Sequence, residues 1–131
     1  MPVSTSEAIT EGVRVKVCAR YEPERSAPSL SQWFFLYTIT ITNESAEQVQ
    51  LLSRRWLIID ATGKTEEVHG PGVVGEQPTL APGQSFEYTS GCPLTTPFGS
   101  MAGTYQMTRG DGTSFDAEIR MFQLSQPHAI H

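Results

Sequence analysis

Apolar and polar residues alternate along most of this chain. Val13, Val15, Val17 and Ala19 face one way, while Arg14, Lys16, Cys18 and Arg20 face the other. A period of two is the mark of a half-buried β-strand. Trp33 to Asn43 repeats it, with Phe35, Tyr37, Ile39 and Ile41 set against Thr38, Thr40 and Thr42. Threonine suits the solvated side of a pleat because its branched carbon favours extended backbone. Asn43-Glu44-Ser45 then supplies a turn.

Val49 to Asp60 reads two ways. Ser45 and Gln48 have capping-box spacing, and Ala46, Val49, Leu52, Trp56 and Ile59 recur at helical intervals. Against a helix, Trp56-Leu57-Ile58-Ile59 is an unbroken apolar run, as in a strand buried on both faces, and Asp60-Ala-Thr-Gly63 stops it. A strand is expected, since its neighbours on both sides are strands and no other helix exists to pack with it.

The rest of the chain continues in short alternating segments. Strands are expected over Glu66–His69, over Ser85–Cys92 with Phe86 and Tyr88 inward, and over Gly103–Arg109 with Tyr105 and Met107 inward. A last strand is expected to bury Phe115, Ala117, Ile119 and Met121 and to expose Asp116, Glu118 and Arg120. Leu80-Ala-Pro-Gly83 and Gly110-Asp-Gly112 mark turns between them. Seven or eight strands with regular turn signals and no convincing helix predict an all-β fold. An antiparallel two-sheet sandwich of the immunoglobulin or fibronectin type III kind is the natural packing, with Trp56 at its centre.

Composition narrows the class. A length of 131 residues suits one domain, and 38% hydrophobic with 18% charged residues is a globular balance. Eleven glycines and nine prolines are many for that length and sit where turns are needed. A net charge of −5 argues against partners bound by phosphate neutralisation, so nucleic acid is not expected. The first eleven residues carry no signal-peptide or import pattern, and no apolar run reaches the ~20 residues of a membrane helix. A cytoplasmic protein is expected, with Cys18 and Cys92 reduced and Cys18 serving as a small buried hydrophobe.

Candidate chemistry is sparse. His69-Gly70-Pro71-Gly72-Val73-Val74-Gly75 contains Gly-x-Gly-x-x-Gly, whose glycines Gly70, Gly72 and Gly75 could let the backbone approach a phosphate. The dinucleotide version of that motif opens a helix, whereas Pro82 and Gly83 leave too little room for one here. A backbone amide nest for an anion, or a loop of positive-φ turns, remain the two readings. His128 and His131 fall in a tail, and His69 has no evident ligand partners, so no metal site or cofactor is expected. Asp116 and Glu118 share a face with Arg120, as a solvated, salt-bridged strand would have them. Gly99-Ser-Met-Ala-Gly103 sets its serine one residue early for a nucleophile elbow, and no catalytic residue is expected. Apolar residues between strands are the remaining oddity. Trp33, Val73, Val74, Leu94, Phe98 and Met101 would form a contact patch if exposed together, or anchor loops if they tuck beneath the sandwich.

Several segments in fixed order resemble the ApaG family. They are Gln50-Leu-Leu-Ser-Arg-Arg-Trp-Leu-Ile58, Gly70-Pro-Gly-Val-Val-Gly-Glu-Gln-Pro78, Leu80-Ala-Pro-Gly83 and Tyr88-Thr-Ser-Gly-Cys-Pro-Leu94, with Thr96-Pro-Phe-Gly-Ser-Met-Ala-Gly103 and Phe115-Asp-Ala-Glu-Ile119. The resemblance runs from about Val13 to the C-terminus. It implies a fibronectin type III-like β-sandwich, a strand over Val49–Asp60, and an ApaG domain over 12–125 between flexible tails at 1–11 and 126–131. Related domains in F-box proteins and in a polymerase-associated protein imply a binding role. Bacterial members are linked by gene neighbourhood to a diadenosine tetraphosphate hydrolase and by phenotype to cobalt and magnesium tolerance. The family's glycine motif falls on Gly70, Gly72 and Gly75 as a proposed pyrophosphate site. Together these readings predict a non-catalytic protein-interaction module of unidentified protein partner. The alternative is a sensor holding a nucleotide, diadenosine polyphosphate or divalent metal at the Gly70–Gly75 loop.

Overall fold

The structure, a computed structural model, describes residues 3–127. Among them are nine strands: β1 (Ser4–Thr10), β2 (Val13–Tyr21), β3 (Trp33–Asn43), β4 (Val49–Asp60), β5 (Thr65–Pro71), β6 (Thr79–Leu80), β7 (Ser85–Leu94), β8 (Phe98–Arg109) and β9 (Ser114–Ser125). Two single-turn 3-10 helices, Pro23–Arg25 and Pro28–Leu30, fill the β2–β3 connection. Every pairing is antiparallel. One sheet runs β1-β2-β3-β7 and the other β5-β4-β8-β9, with β6 also on β4. The two form the expected immunoglobulin/fibronectin type III-like sandwich, and Val49–Asp60 is a strand.

The predicted alternation of β2 and β3 holds: Val13, Val15 and Val17, and Phe35, Ile39 and Ile41, are buried between the sheets. Trp56 is 3% exposed at the centre, edge-on to Tyr37 and to Phe122 at 5.4 and 6.0 Å between ring centroids. Around it, Leu57 is exposed and Ile58 and Ile59 are half-buried, so the run is covered on one face and not on two. Two bulges account for the departures. On β4, Leu51 opposes Met107 and Ser53 opposes Gln106, which leaves Leu52 as an extra residue. On β9, Met101 opposes Phe122 and Gly103 opposes Ile119, so Arg120 and Met121 face Ala102 together. Each extra residue reverses which side chains point inward. Hence Met121, expected inside, is exposed, and Phe122 and Leu124 are buried in its place.

Two stretches expected to lack strand structure are strands. Ser4–Thr10, within the expected N-terminal tail, pairs with β2 along its whole length. Its hydroxyls also seal that flank against β9: Ser6 Oγ donates to the Arg120 carbonyl, and Ser4 Oγ and Thr10 Oγ1 accept from the Gln123 and Glu118 amides. So few apolar residues give the segment no period-two signal, although Ala8 is buried. The segment from Pro93 to Ala102, between two expected strands, is the end of β7 and the start of β8, joined by Thr95-Thr96-Pro97. Glycines in and beside it lie where neighbours crowd the backbone: a Cβ on Gly103 would stand 2.1 Å from the Arg55 carbonyl oxygen. At the other end, Gln126 accepts from Trp33 Nε1, while His128 and His131 lie outside the described residues.

Asn43 is the one buried polar residue among those described. Its Nδ2 donates to the Glu47 and Leu80 carbonyls at 2.8 and 2.9 Å, and its Oδ1 accepts from the Ser45 amide and hydroxyl. It therefore ties the end of β3 to the following turn and to β6. Asn43→Leu leaves those buried groups without partners, and a loss of about 2–4 kcal/mol is expected. Urea unfolding should show a lower midpoint at unchanged slope; an unchanged midpoint contradicts this role.

Candidate functional site

The sandwich has two flanks. Edge strands β1 and β9 close one through the side-chain bonds above. On the other, among the described residues, β5 pairs only with β4 and β7 only with β3, which leaves two strand edges without a partner strand there. Between them lies a cleft of about 250 Å³, lined by Arg54, Trp56, Glu66, Val68, Ser90 and Cys92 among others.

Arg54 is there because of the β4 bulge. In unbroken alternation after Val49 and Leu51, Ser53 and Arg55 would face inward. The extra Leu52 turns Arg54, Trp56 and Ile58 inward instead. Arg54 Nη1 donates to the Pro71 and Gly72 carbonyls at 3.1 and 2.9 Å. The cation thus lies across the glycine loop, and a Cβ on Gly70 would come within 2.8 Å of Nη1. Arg14, Arg55, Arg109 and Arg120 each have a glutamate partner. Arg54, half-buried, has none among the described residues.

Tyrosines surround the cation. The Tyr88 and Tyr105 hydroxyls bond to each other in the core. Burial holds both phenols above their ordinary range, with the Arg54 charge acting weakly in the opposite direction. Tyr37 is likewise raised by burial, against the Ser90 hydroxyl and Arg54. Burial, with a smaller contribution from Glu66, pushes the Cys92 thiol up to about 12. This thiol is therefore not an activated nucleophile.

The motif glycines serve the fold. The Gly72 amide donates to the carbonyl of the bulge residue Leu52 at 2.8 Å, and Gln77 Nε2 donates to the same oxygen at 2.9 Å. A Cβ on Gly72 would meet the Glu76 carbonyl oxygen at 2.2 Å. Val73 and Glu76 exchange two backbone bonds around Val74 and Gly75, whose φ values of 42° and 83° make a two-residue hairpin turn. The amides of Gly72, Val73 and Glu76 are thus already donating inside the protein.

The expected contact patch is not assembled on the surface. Val73, Leu94 and Met101 are in the core, Trp33 packs against it and Phe98 is half-buried, which leaves only Val74 exposed. These residues anchor the chain beneath the sandwich. Cys18, expected to be buried, is exposed on the outer face of β2, and both cysteines are free. His69 is exposed on β5 with Nε2 3.6 Å from Glu67 Oε2, and Glu118 stands 3.8 Å from Arg120 as expected. Among the described residues no three His, Cys, Asp or Glu side chains group to hold a metal, and no helix is long and apolar enough to cross a membrane. Sequence reading missed Arg54. A cation flanked by Ser53 and Arg55 carries no inward signal unless the bulge is known.

Comparison with known proteins gives a consistent picture. A family model described as ApaG domain matches residues 23–109. Protein ApaG of Methylorubrum populi is 56% identical over 122 residues, covering 93% of this chain and 94% of that protein. Protein ApaG of Anaeromyxobacter dehalogenans is 52% identical, covering 96% and 99%. A crystal structure from Bordetella pertussis, described as an ApaA protein, superposes with a TM-score of 0.86 at 47% identity, covering 98% of this chain and all of that one.

Two measurements check the site. The unfolded tyrosines ionise near pH 10, whereas the buried Tyr88 and Tyr105 hold their protons longer. The unfolded state then binds fewer protons, so stability should fall above about pH 10, by roughly 1.4 kcal/mol per pH unit per retained proton. Urea midpoints from pH 8 to 11 should show that slope in the native protein and a shallower one in the Tyr88→Phe, Tyr105→Phe double variant; equal slopes contradict the assignment. In the second, a disulfide-exchange reagent at pH 8 should count one rapid thiol, Cys18, in the folded protein and two in denaturant. Rapid reaction of Cys92 in the folded state contradicts its burial.

Proposed function

We propose that this chain, which belongs to the ApaG family, is a non-catalytic binding module that receives a partner polypeptide along the open flank between β5 and β7. The asymmetry of the two flanks carries this reading. Hydroxyls of β1 satisfy the β9 backbone on one side, while β5 and β7 keep unpaired edges on the other. An unpaired edge is a template for an added strand, with backbone bonds giving affinity and flanking side chains giving selectivity. Glu66, Glu67 and Pro71 on β5 and Pro93 on β7 restrict which strand can add there.

The state of two candidate groups supports the non-catalytic reading: Cys92 is held as a thiol, and His69 faces solvent beside Glu67. We place the module in the cytoplasm, where free thiols such as Cys18 and Cys92 persist. A phosphate compound or metal ion at Gly70–Gly75 has less support, because the loop amides named above are spent on Leu52, Val73 and Glu76.

The test is affinity capture from native cytosol, followed by hydrogen exchange of the complex. Amides in Thr65–Pro71 and Ser85–Leu94 should gain protection while β1 and β9 stay unchanged. Protection confined to the β1–β9 flank, or no specific partner, overturns the reading.

A further inference from the structure

The cleft on the open flank holds a cation with no ion-pair partner among the described residues. The Arg54 guanidinium spends Nη1 on two backbone carbonyls, and no carboxylate of the described residues forms an ion pair with it. A half-buried guanidinium left in this state is costly to desolvate and is a ready receptor for an oxyanion. Its planar fork matches a carboxylate in two parallel bonds. Beside it the cleft offers the Ser90 and Tyr37 side chains, and next to these the apolar surfaces of Trp56, Val68 and Met101.

We infer that this cleft is a binding site for a monocarboxylic acid with a small apolar body, the acid group on Arg54 and the body against Trp56 and Val68. Three observations choose this class over a polyphosphate. At about 250 Å³ the cleft is at the small end for ligand sites and cannot enclose a dinucleotide. Glu66 lines the same cleft opposite Ile58, four residues along β4 from Arg54 or about 13 Å by strand rise, and repels a long polyanion. The Gly72, Val73 and Glu76 amides, which a phosphate cradle in this loop would use, are already donating. The acid can arrive as a free small molecule or as the carboxyl terminus of a polypeptide. Only the second source rests on the open-flank function proposed above.

The experiment follows arginine side-chain Nε–H and backbone amide signals of the ¹⁵N-labelled full chain at constant ionic strength. N-acetyl-leucine, N-acetyl-leucinamide and pyrophosphate are titrated separately. Saturable shifts at Arg54, Val68, Ser90 and Gly91 are expected with the acid, and binding at least about tenfold weaker with the amide. Arg54→Gln should weaken the acid by a similar factor. Arg54→Lys, which keeps the charge and loses the planar fork, should weaken it about threefold or more and supplies the variant test if Arg54→Gln does not fold. Equal binding of acid and amide, tighter binding of pyrophosphate, or no saturable shift at millimolar acid overturns the proposal. An acetylated hexapeptide ending in leucine separates the sources. Binding about tenfold tighter than N-acetyl-leucine assigns the site to a chain terminus, and equal binding assigns it to a free acid. Acid binding without peptide protection of β5 and β7 keeps the carboxylate site and sinks the polypeptide reading.

Discussion

One extra residue in β4 organises the open-flank half of this molecule. Leu52 has no partner of its own on β8, and inserting it exchanges the inward set Ser53, Arg55, Leu57 for Arg54, Trp56, Ile58. The centre of the core depends on that exchange, because Trp56 meets Tyr37 and Phe122 only from the inner face. A bulge also frees a carbonyl from the ladder, and a freed carbonyl needs donors. The glycine loop supplies them through the Gly72 amide and the Gln77 side chain. The Leu51 amide, on the other side of the bulge, donates to the Pro78 carbonyl. The loop that reads in sequence as a phosphate cradle is thus the partner of a backbone irregularity.

The same exchange turns a guanidinium inward beside Trp56. Two neighbouring features make this tolerable. Gly70 and Gly72 carry no side chains, so the loop passes close under Arg54, and their neighbourhood offers the Pro71 and Gly72 carbonyls to Nη1. The dipoles aimed at the cation are carbonyls, the reverse of what an anion-binding nest presents. The Pro71 and Gly72 carbonyls are therefore matched to a positive charge.

Legibility in the sequence followed the regularity of the backbone. Strands β2 and β3 alternate without interruption and their inward faces could be read, as could the burial of Tyr105 and Met107, although Cys18 lies on the outer face of β2. Reading failed where the period slipped. Met121 and Phe122 exchange roles at the second bulge, and Arg54 hides between two polar residues at the first. It also failed where burial is slight: Ser4–Thr10 contributes Ala8 to the interior and holds its place by hydroxyl bonds, which leave no hydrophobic pattern. The apolar residues Val73, Leu94 and Met101 misled for a related reason. Strands β7 and β8 extend beyond their alternating parts, and what reads as an apolar loop is core. The glycines that interrupt the pattern there mark close approaches of neighbouring chain, not freedom.

The open flank follows from the placement of Arg54. Bringing β5 and β7 together as β1 and β9 are brought together would seal an unpaired guanidinium between the sheets. Desolvating such a charge costs several kcal/mol, more than a few backbone bonds between the edges return. The closed flank carries no such penalty, since β1 brings neutral serine and threonine hydroxyls to β9. A single inward cation thus opposes closure of this flank. Any group that neutralises it removes the reason for the gap. On the binding role proposed above, neutralising Arg54 and pairing at the strand edges are coupled, and a partner bringing both a strand and a negative charge is favoured.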